Sequence, residues 1–314
     1  MEKEKSLMEM LNMSSENYRQ KVAISKNFDI NYFCYKFDIE ALKIAMNRLF
    51  EKSNKITTAI ISENRQEWVC TYIANIIMGN DVVIVPSNIK AENFNKIVNK
   101  YKINTIFYSN SYREKIIKFL KNRKAKKENI KLNLINFDPE KNLNVINYTK
   151  IMNVGRYLEN NLQLIEKQKN KEGKTIFAGN NEEIFSTSQI IENTLKIVKK
   201  IHIWNFWNKK LMASNFINNE YDLYFQIFIP LLLGSTINFN LNKYKNRDLI
   251  IQKSNMEFCE ICKKKKIYRI WKEKNKFEIS ISKKKELPKF KVIENKNVDF
   301  KIKDNYRESF ILIK

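Results

Sequence analysis

The stretch 57–109, TTAIISENRQEWVCTYIANIIMGNDVVIVPSNIKAENFNKIVNKYKINTIFYS, decides the fold class. Ala59-Ile60-Ile61 is a short apolar run stopped by Ser62-Glu63-Asn64, and such a run between polar turn formers reads as a buried strand. From 66 to 78 the apolar residues Trp68, Val69, Tyr72, Ile73, Ile76 and Ile77 recur at spacings of three and four, which predicts a helix with one broad core-directed face. Gly79 ends it, because glycine supplies the left-handed cap that other residues avoid. The run 82–85 is β-branched throughout and stops at Pro86, as a strand covered on both faces should. A helix over 91–101 then leads into a strand over 105–108. Strands and helices alternating at this spacing imply right-handed crossovers and a parallel sheet.

Outward from this core the same periods continue. A strand over 22–25, a turn at Asn31-Tyr32-Phe33 and a helix over 38–50 are implied by a resemblance to the adenylate-forming (AMP-binding) superfamily. Downstream come a basic helix over 112–127 with Ile116, Ile117, Phe119 and Leu120 on its apolar face, a strand over 131–137 and a turn at Asp138-Pro139. The pattern weakens to charged helix and loop over 140–174, where a seam between subdomains is expected. The same resemblance implies strands over 174–177 and 235–239. The fold class is α/β, with mostly parallel sheets flanked by helices in two subdomains. The expected division is a polar leader 1–20 with an apolar stripe of Leu7, Met10, Leu11 and Met13, a first α/β subdomain 21–170, and a second, 171–314, ending in a basic, strand-rich segment.

Composition excludes several classes. The N-terminus mixes charges and lacks the apolar core of a secretory signal, and the longest apolar run, near 225–234, is far below the ~20 residues that cross a bilayer; a cytoplasmic location is the expectation. Four cysteines, Cys34, Cys70, Cys259 and Cys262, do not make a disulfide framework in 314 residues. Cys259-Glu260-Ile261-Cys262 has no second Cys or His pair to complete a zinc site, so it reads as two ordinary thiols in a lysine-rich helix, and no metal is expected. The lone histidine, His202, has no ligand spacing around it. The net charge of +24 raises nucleic acid as a partner, but 9 of the 58 basic residues are arginines, and lysine reads bases and grips phosphates poorly by comparison. The surplus reads as a solvated basic surface, not a nucleic-acid face.

Several segments resemble the adenylate-forming (AMP-binding) superfamily, in particular the N-terminal domain of acyl-CoA synthetases. The likeness rests on 60–68, Gly79, Val85-Pro86 and Ala91-Glu92, and continues at Ser188 to Asn193, Asn215 to Glu220 and 228–237. It implies that the strand Lys174-Thr175-Ile176-Phe177 leads into the loop that wraps ATP phosphates, which in the family has the form TSGTTGxPKGV. Here the loop over 178–184 reads AGNNEEI. The degenerate phosphate-binding position is therefore Thr175, Gly179, Asn180 and Asn181, with one glycine and no lysine. Glu182 and Glu183 stand where a polyphosphate would come, and like charges a few ångströms apart repel by more than about 1 kcal/mol even at intermediate dielectric. The family's motif histidines correspond to Ser188 and to an asparagine, its adenine-binding GYGxTE string does not occur in these 314 residues, and no counterpart of its C-terminal domain with a catalytic lysine is expected among them. The segment 241–314 faintly resembles a later strand region of the family without its glycines.

No other site assembles from the sequence. Glu63, Asn64 and Arg65 follow a strand at the end where open α/β sheets hold ligands, yet they read more simply as turn and surface residues. No Ser/His/Asp or Cys/His set can be built, and Tyr221, Tyr224, Phe225 and Phe228 form a stripe that reads as core. No catalytic residue is expected. The resemblance implies a degenerate acyl-CoA ligase-like protein without adenylating activity or cofactor, acting by binding an acyl group, an acyl carrier protein or a related synthetase chain. The alternative it implies is a divergent long-chain fatty acid CoA or acyl-carrier-protein ligase component that uses ATP and magnesium and is completed by another chain. An anionic membrane surface is compatible with the charge.

Overall fold

A computed structural model of the protein describes residues 6–25, 29–50, 56–125, 132–139, 145–161, 172–178, 182–200, 210–212, 217–239, 249–254, 258–263, 266–273 and 276–283. In chain order the elements begin with α1 (Leu7–Asn17), β1 (Val22–Ser25), β2 (Asp29–Asn31), α2 (Tyr32–Leu49), β3 (Thr57–Ile61), α3 (Gln66–Ile77), β4 (Asp81–Ile84) and α4 (Ala91–Lys100). Next come β5 (Thr105–Tyr108), α5 (Arg113–Ala125), β6 (Asn133–Asn136), β7 (Ile146–Asn147), α6 (Tyr148–Asn161), β8 (Lys174–Phe177), β9 (Glu183–Ser186) and α7 (Thr187–Lys200). The remainder are β10 (Lys210–Met212), α8 (Glu220–Leu223), α9 (Ile229–Leu233), β11 (Thr236–Asn238), β12 (Leu249–Ser254), β13 (Phe258–Lys263), β14 (Lys266–Glu273) and β15 (Lys276–Lys283). Two units form, one of residues 36–187 and one of 1–35 with 188–314; the sequence expectation drew its lines at 20 and 170.

The unit 36–187 holds a seven-stranded sheet in the order β7-β6-β5-β3-β4-β8-β9. Every pairing in it is parallel except that of β8 with β9. The strands of β3 and β5 are buried at every position, as the unbroken apolar runs required. Helix α3 departs from the expected single apolar face: nine consecutive residues, Trp68 to Ile76, are buried. The reason is its neighbours. It packs on β3 and β4, and the Asn75 amide reaches Met46 Sδ of α2. Its buried Asn75 is matched, since it donates to the Thr71 carbonyl at 2.8 Å and accepts from Thr58 Oγ1 at 2.8 Å, as most buried polar groups are. Gly79 closes the helix at φ 79°.

Two boundaries in the sequence reading shift. Helix α2 begins at Tyr32, six residues before the expected start, because the Asn31 side chain accepts from the Cys34 backbone N–H at 2.8 Å and caps it. The expected loop over 178–184 is shorter, because Glu183 and Ile184 belong to β9, which pairs antiparallel with β8 as a hairpin.

The unit of 1–35 and 188–314 holds an eight-stranded sheet in the order β15-β14-β13-β12-β10-β11-β1-β2. Helix α1 opens with a capping box in which Ser6 and Glu9 bond each other's backbone N–H. Leu7, Met10 and Leu11 of the expected stripe are buried, while Met13 is 41% exposed. Helix α8 runs through a π-helical stretch, Tyr224–Phe228, into α9. Gly234 then turns the chain at φ 64°, where a Cβ would stand 2.5 Å from the Tyr18 ring. The Tyr32 hydroxyl lies 2.6 Å from both the Pro230 and Ser235 carbonyl oxygens. The aromatic stripe Tyr221, Tyr224, Phe225 and Phe228 is fully buried core, as expected. Cys259 and Cys262 lie on strand β13, not on a helix, and a spacing of three along a strand gives opposite phases of the pleat.

Candidate functional site

Strand β3 sends the chain over α3 to β4 on one side, and α4 carries it back to β5 on the other side of β3. The carboxyl ends of β3 and β5 thus form a topological switch point, the usual crevice for ligands in an open α/β sheet. Here that crevice is filled by the protein's own polar groups. Ser109, just after β5, donates to Glu63 Oε2 at 2.6 Å. Arg65 donates from Nε and Nη2 to both oxygens of Glu67 at 2.8 and 3.0 Å, and from Nη1 to Asp138 at 2.9 Å and to Glu63 at 3.4 Å. Asp138 also accepts from the Asn110 backbone N–H at 2.8 Å, and the guanidinium lies 5.6 Å from the Phe137 ring centroid.

Electrostatics follow from this packing. Burial opposes the Arg65 charge, but Glu67 and Asp138 outweigh it, and the pKa is raised above the ordinary arginine value. Burial and then Glu63 raise the pKa of Tyr112, and burial lowers that of Lys115, whose Nζ donates to the Ser87 carbonyl at 2.9 Å. Asn64 and Arg65, read as turn and surface residues, are turn residues but buried, at 8% and 9% exposure. A serine hydrogen-bonded to a carboxylate resembles a nucleophile with its base, but Ser109 is 0% exposed. The arrangement ties three strand ends together.

The sequence-expected phosphate position lies at the other flank of the same sheet. Thr175 faces inward: its hydroxyl shares a 2.8 Å hydrogen bond with Tyr72 and is fully buried. Gly179, Asn180 and Asn181 lie outside the described residues, as does His202. Phe177 pairs with Glu183 across the hairpin, so five residues, Ala178 to Glu182, connect the strands. Glu182 forms an ion pair with Lys100 and a hydrogen bond with Tyr101, and these bonds hold its pKa below the usual carboxylate value.

A third polar group lies in the other unit. The Asn193 amide donates to the Tyr224 hydroxyl at 2.9 Å, which in turn donates to Glu220 at 2.5 Å. Burial, then Glu220, raises the Tyr224 pKa. Sequence reading found Asn193 and Tyr224 separately and missed Glu220. A carboxylate one helical turn before a tyrosine in an apolar run was the available signal. Among the described residues no group of three or more Cys, His, Asp or Glu could hold a metal ion, and no helix is long and apolar enough to cross a membrane.

No family model matches the sequence, and no curated protein matches it. Solved structures do. The chain is similar to the luciferase-like enzyme from the nonluminescent Zophobas morio mealworm, with a TM-score of 0.57 and 12% identity over 77% of this chain and 56% of that one. It is similar to the N-terminal domain of FACL13 from Mycobacterium tuberculosis, with a TM-score of 0.55 and 10% identity over 77% of this chain and 58% of that one. It is also similar to O-succinylbenzoate coenzyme A synthetase from Bacillus subtilis in complex with ATP and magnesium ion, with a TM-score of 0.52 and 10% identity over 75% of this chain and 57% of that one. The chain therefore spans less than two thirds of the solved structures it matches. At these identities the likeness is one of architecture: the protein has the fold of an adenylate-forming N-terminal domain.

Proposed function

We propose that this chain is a ligase-like protein without adenylating activity, which acts by binding an acyl group, an acyl carrier protein or a related synthetase chain. The observation that carries the reading is the hairpin of β8 and β9. A phosphate loop works by turning several backbone N–H groups inward around the anion, which needs length and glycines. Five connecting residues with one glycine, and an acid at the end already paired with Lys100, offer neither. The +24 charge favours an acidic partner such as a carrier protein.

The test is thermal stabilisation by magnesium-ATP together with acid-dependent exchange of pyrophosphate into ATP. A ligand at 100 times its dissociation constant adds about 2.7 kcal/mol of stability. We expect no shift in melting temperature at millimolar ATP and no exchange. A shift, or exchange with a fatty acid, would overturn the reading. A second reading draws on the ligase-like fold of its structural neighbours: a divergent long-chain acyl ligase component completed by another chain. It predicts that exchange appears only when that chain is added.

A further inference from the structure

The edge of a sheet is where a fold stands open to another strand, and protected edges are short. Among the described residues the two sheets end in β7, β9, β2 and β15. The first three are two, four and three residues long. β15 has eight. It pairs with β14 at every position, from Lys276 opposite Glu273 to Lys283 opposite Lys266, without the register shift that interrupts β1 with β2 and β12 with β13. No proline or glycine breaks it. Its outer row of backbone N–H and C=O groups is therefore long and regular, the form that accepts a further strand.

Which strand fits follows from the sequence. Successive residues alternate between faces, so Phe277, Ile279 and Ile281 share one face of β15 and Glu278, Ser280 and Ser282 share the other. The register carries the first face across the sheet through Ile279, Ile270 and Cys259, and through Ile281, Tyr268 and Ile261. An added strand must match both faces, because residues directly opposite lie on the same face. A second copy of β15 does so. Run antiparallel about a two-fold axis at Ile279, it sets Ile279 opposite Ile279, Phe277 opposite Ile281, Glu278 opposite Ser280 and Lys276 opposite Ser282. Each of the three apolar positions then meets another, and no like charges oppose. Moving the axis by one residue loses this match: at Glu278 it brings the two carboxylates face to face, and at Ser280 it sets Phe277 opposite Lys283.

We propose that β15 is a self-association edge: two copies of the chain pair antiparallel through 276–283 and join their eight-stranded sheets. The contact is isologous, so it closes at two copies. A strand pair of this length buries less than the about 1,200 Å² of a stable interface, so the dimer is weak and depends on concentration. Each copy carries a net charge of +24; like-charge repulsion opposes the pairing, and salt promotes it. Attraction of an acidic partner, as in the function proposed above, falls with salt instead, so the two proposals succeed or fail separately.

Sedimentation velocity on the full chain tests it, at about 5 and about 200 µM chain and at low and moderate salt. The mass should move from one chain toward two as concentration rises, and association should tighten several-fold as salt goes from about 0.05 to about 0.5 M. Ile279→Lys places two ammonium groups at the two-fold position and should leave only the single-chain mass. An equal dimer in that variant, a single-chain mass throughout, or growth beyond two copies overturns the proposal. Hydrogen exchange on the unmodified chain decides the matter even if the variant fails to fold. Amides of 276–283 should exchange about threefold more slowly at the higher concentration. Equal protection at both concentrations, as another segment of the same chain lying on the edge would give, overturns it.

Discussion

Two parts of one sheet are held by packing to different degrees. Along β3, α3 and β4, packing constrains nearly every residue: nine successive positions of α3 are buried, Gly79 closes it, and the strands on either side are apolar. At the β8–β9 hairpin, packing asks only that two strands meet, and Thr175 meets that demand by bonding Tyr72 inside the core. Many apolar residues satisfy a core position, so a fold persists at about a tenth identity. A phosphate cradle accepts very few residues.

The sharpest way to break this comparison is to truncate the core and find it tolerant. Trp68 is 2% exposed and stacks on Tyr72 with ring centroids 5.5 Å apart. Trp68→Ala should cost about 3–5 kcal/mol, read from urea unfolding of the full chain. A loss under about 1 kcal/mol would mean that α3 is not the pillar of its unit. A smaller effect is expected at the switch point. Arg65→Met leaves Glu63, Glu67 and Asp138 facing one another, and with those acids partly exposed the cost should be about 2–3 kcal/mol. Moderate salt should recover part of it by screening, and no loss at all would show the clasp to be ornamental.

The smallest effect should come from the hairpin. Lengthening the five-residue connection to the eleven of the family's loop costs only about 0.7 kcal/mol in closure entropy. Urea midpoints of the two forms should nearly coincide. A loss comparable to that of Trp68→Ala would show that packing does constrain this turn.

How much was legible follows the same division. The alternation over 57–108, the stop at Gly79, the strand ending at Pro86 and the buried aromatic run near 221–228 all stand as read, since each follows from a period or a backbone constraint. The start of α2 was hidden because Asn31 serves at once as the last residue of β2 and as a helix cap. Strand β9 was hidden because four residues after a polar run carry too short a pattern to count. β13 was mistaken for helix, since the spacing of its two cysteines has no meaning until the register is known. The role of Glu220 was harder to see, because it depends on Asn193 and Tyr224 being brought together by the fold. The clasp around Arg65 joins residues as far apart as 65 and 138, so only its turn residues could be anticipated.

That clasp has a bearing on evolvability. In most open sheets the place where successive connections part company is a vacancy, and new ligands are acquired by decorating it. Here a guanidinium, three acids and a serine occupy it, each answering the others' charge or lone pairs. A newcomer would have to replace that entire constellation at once, because removing any single member leaves the rest mismatched. Innovation in this molecule is accordingly steered away from the mouth of its sheet and toward its helical flanks and lysine-studded exterior.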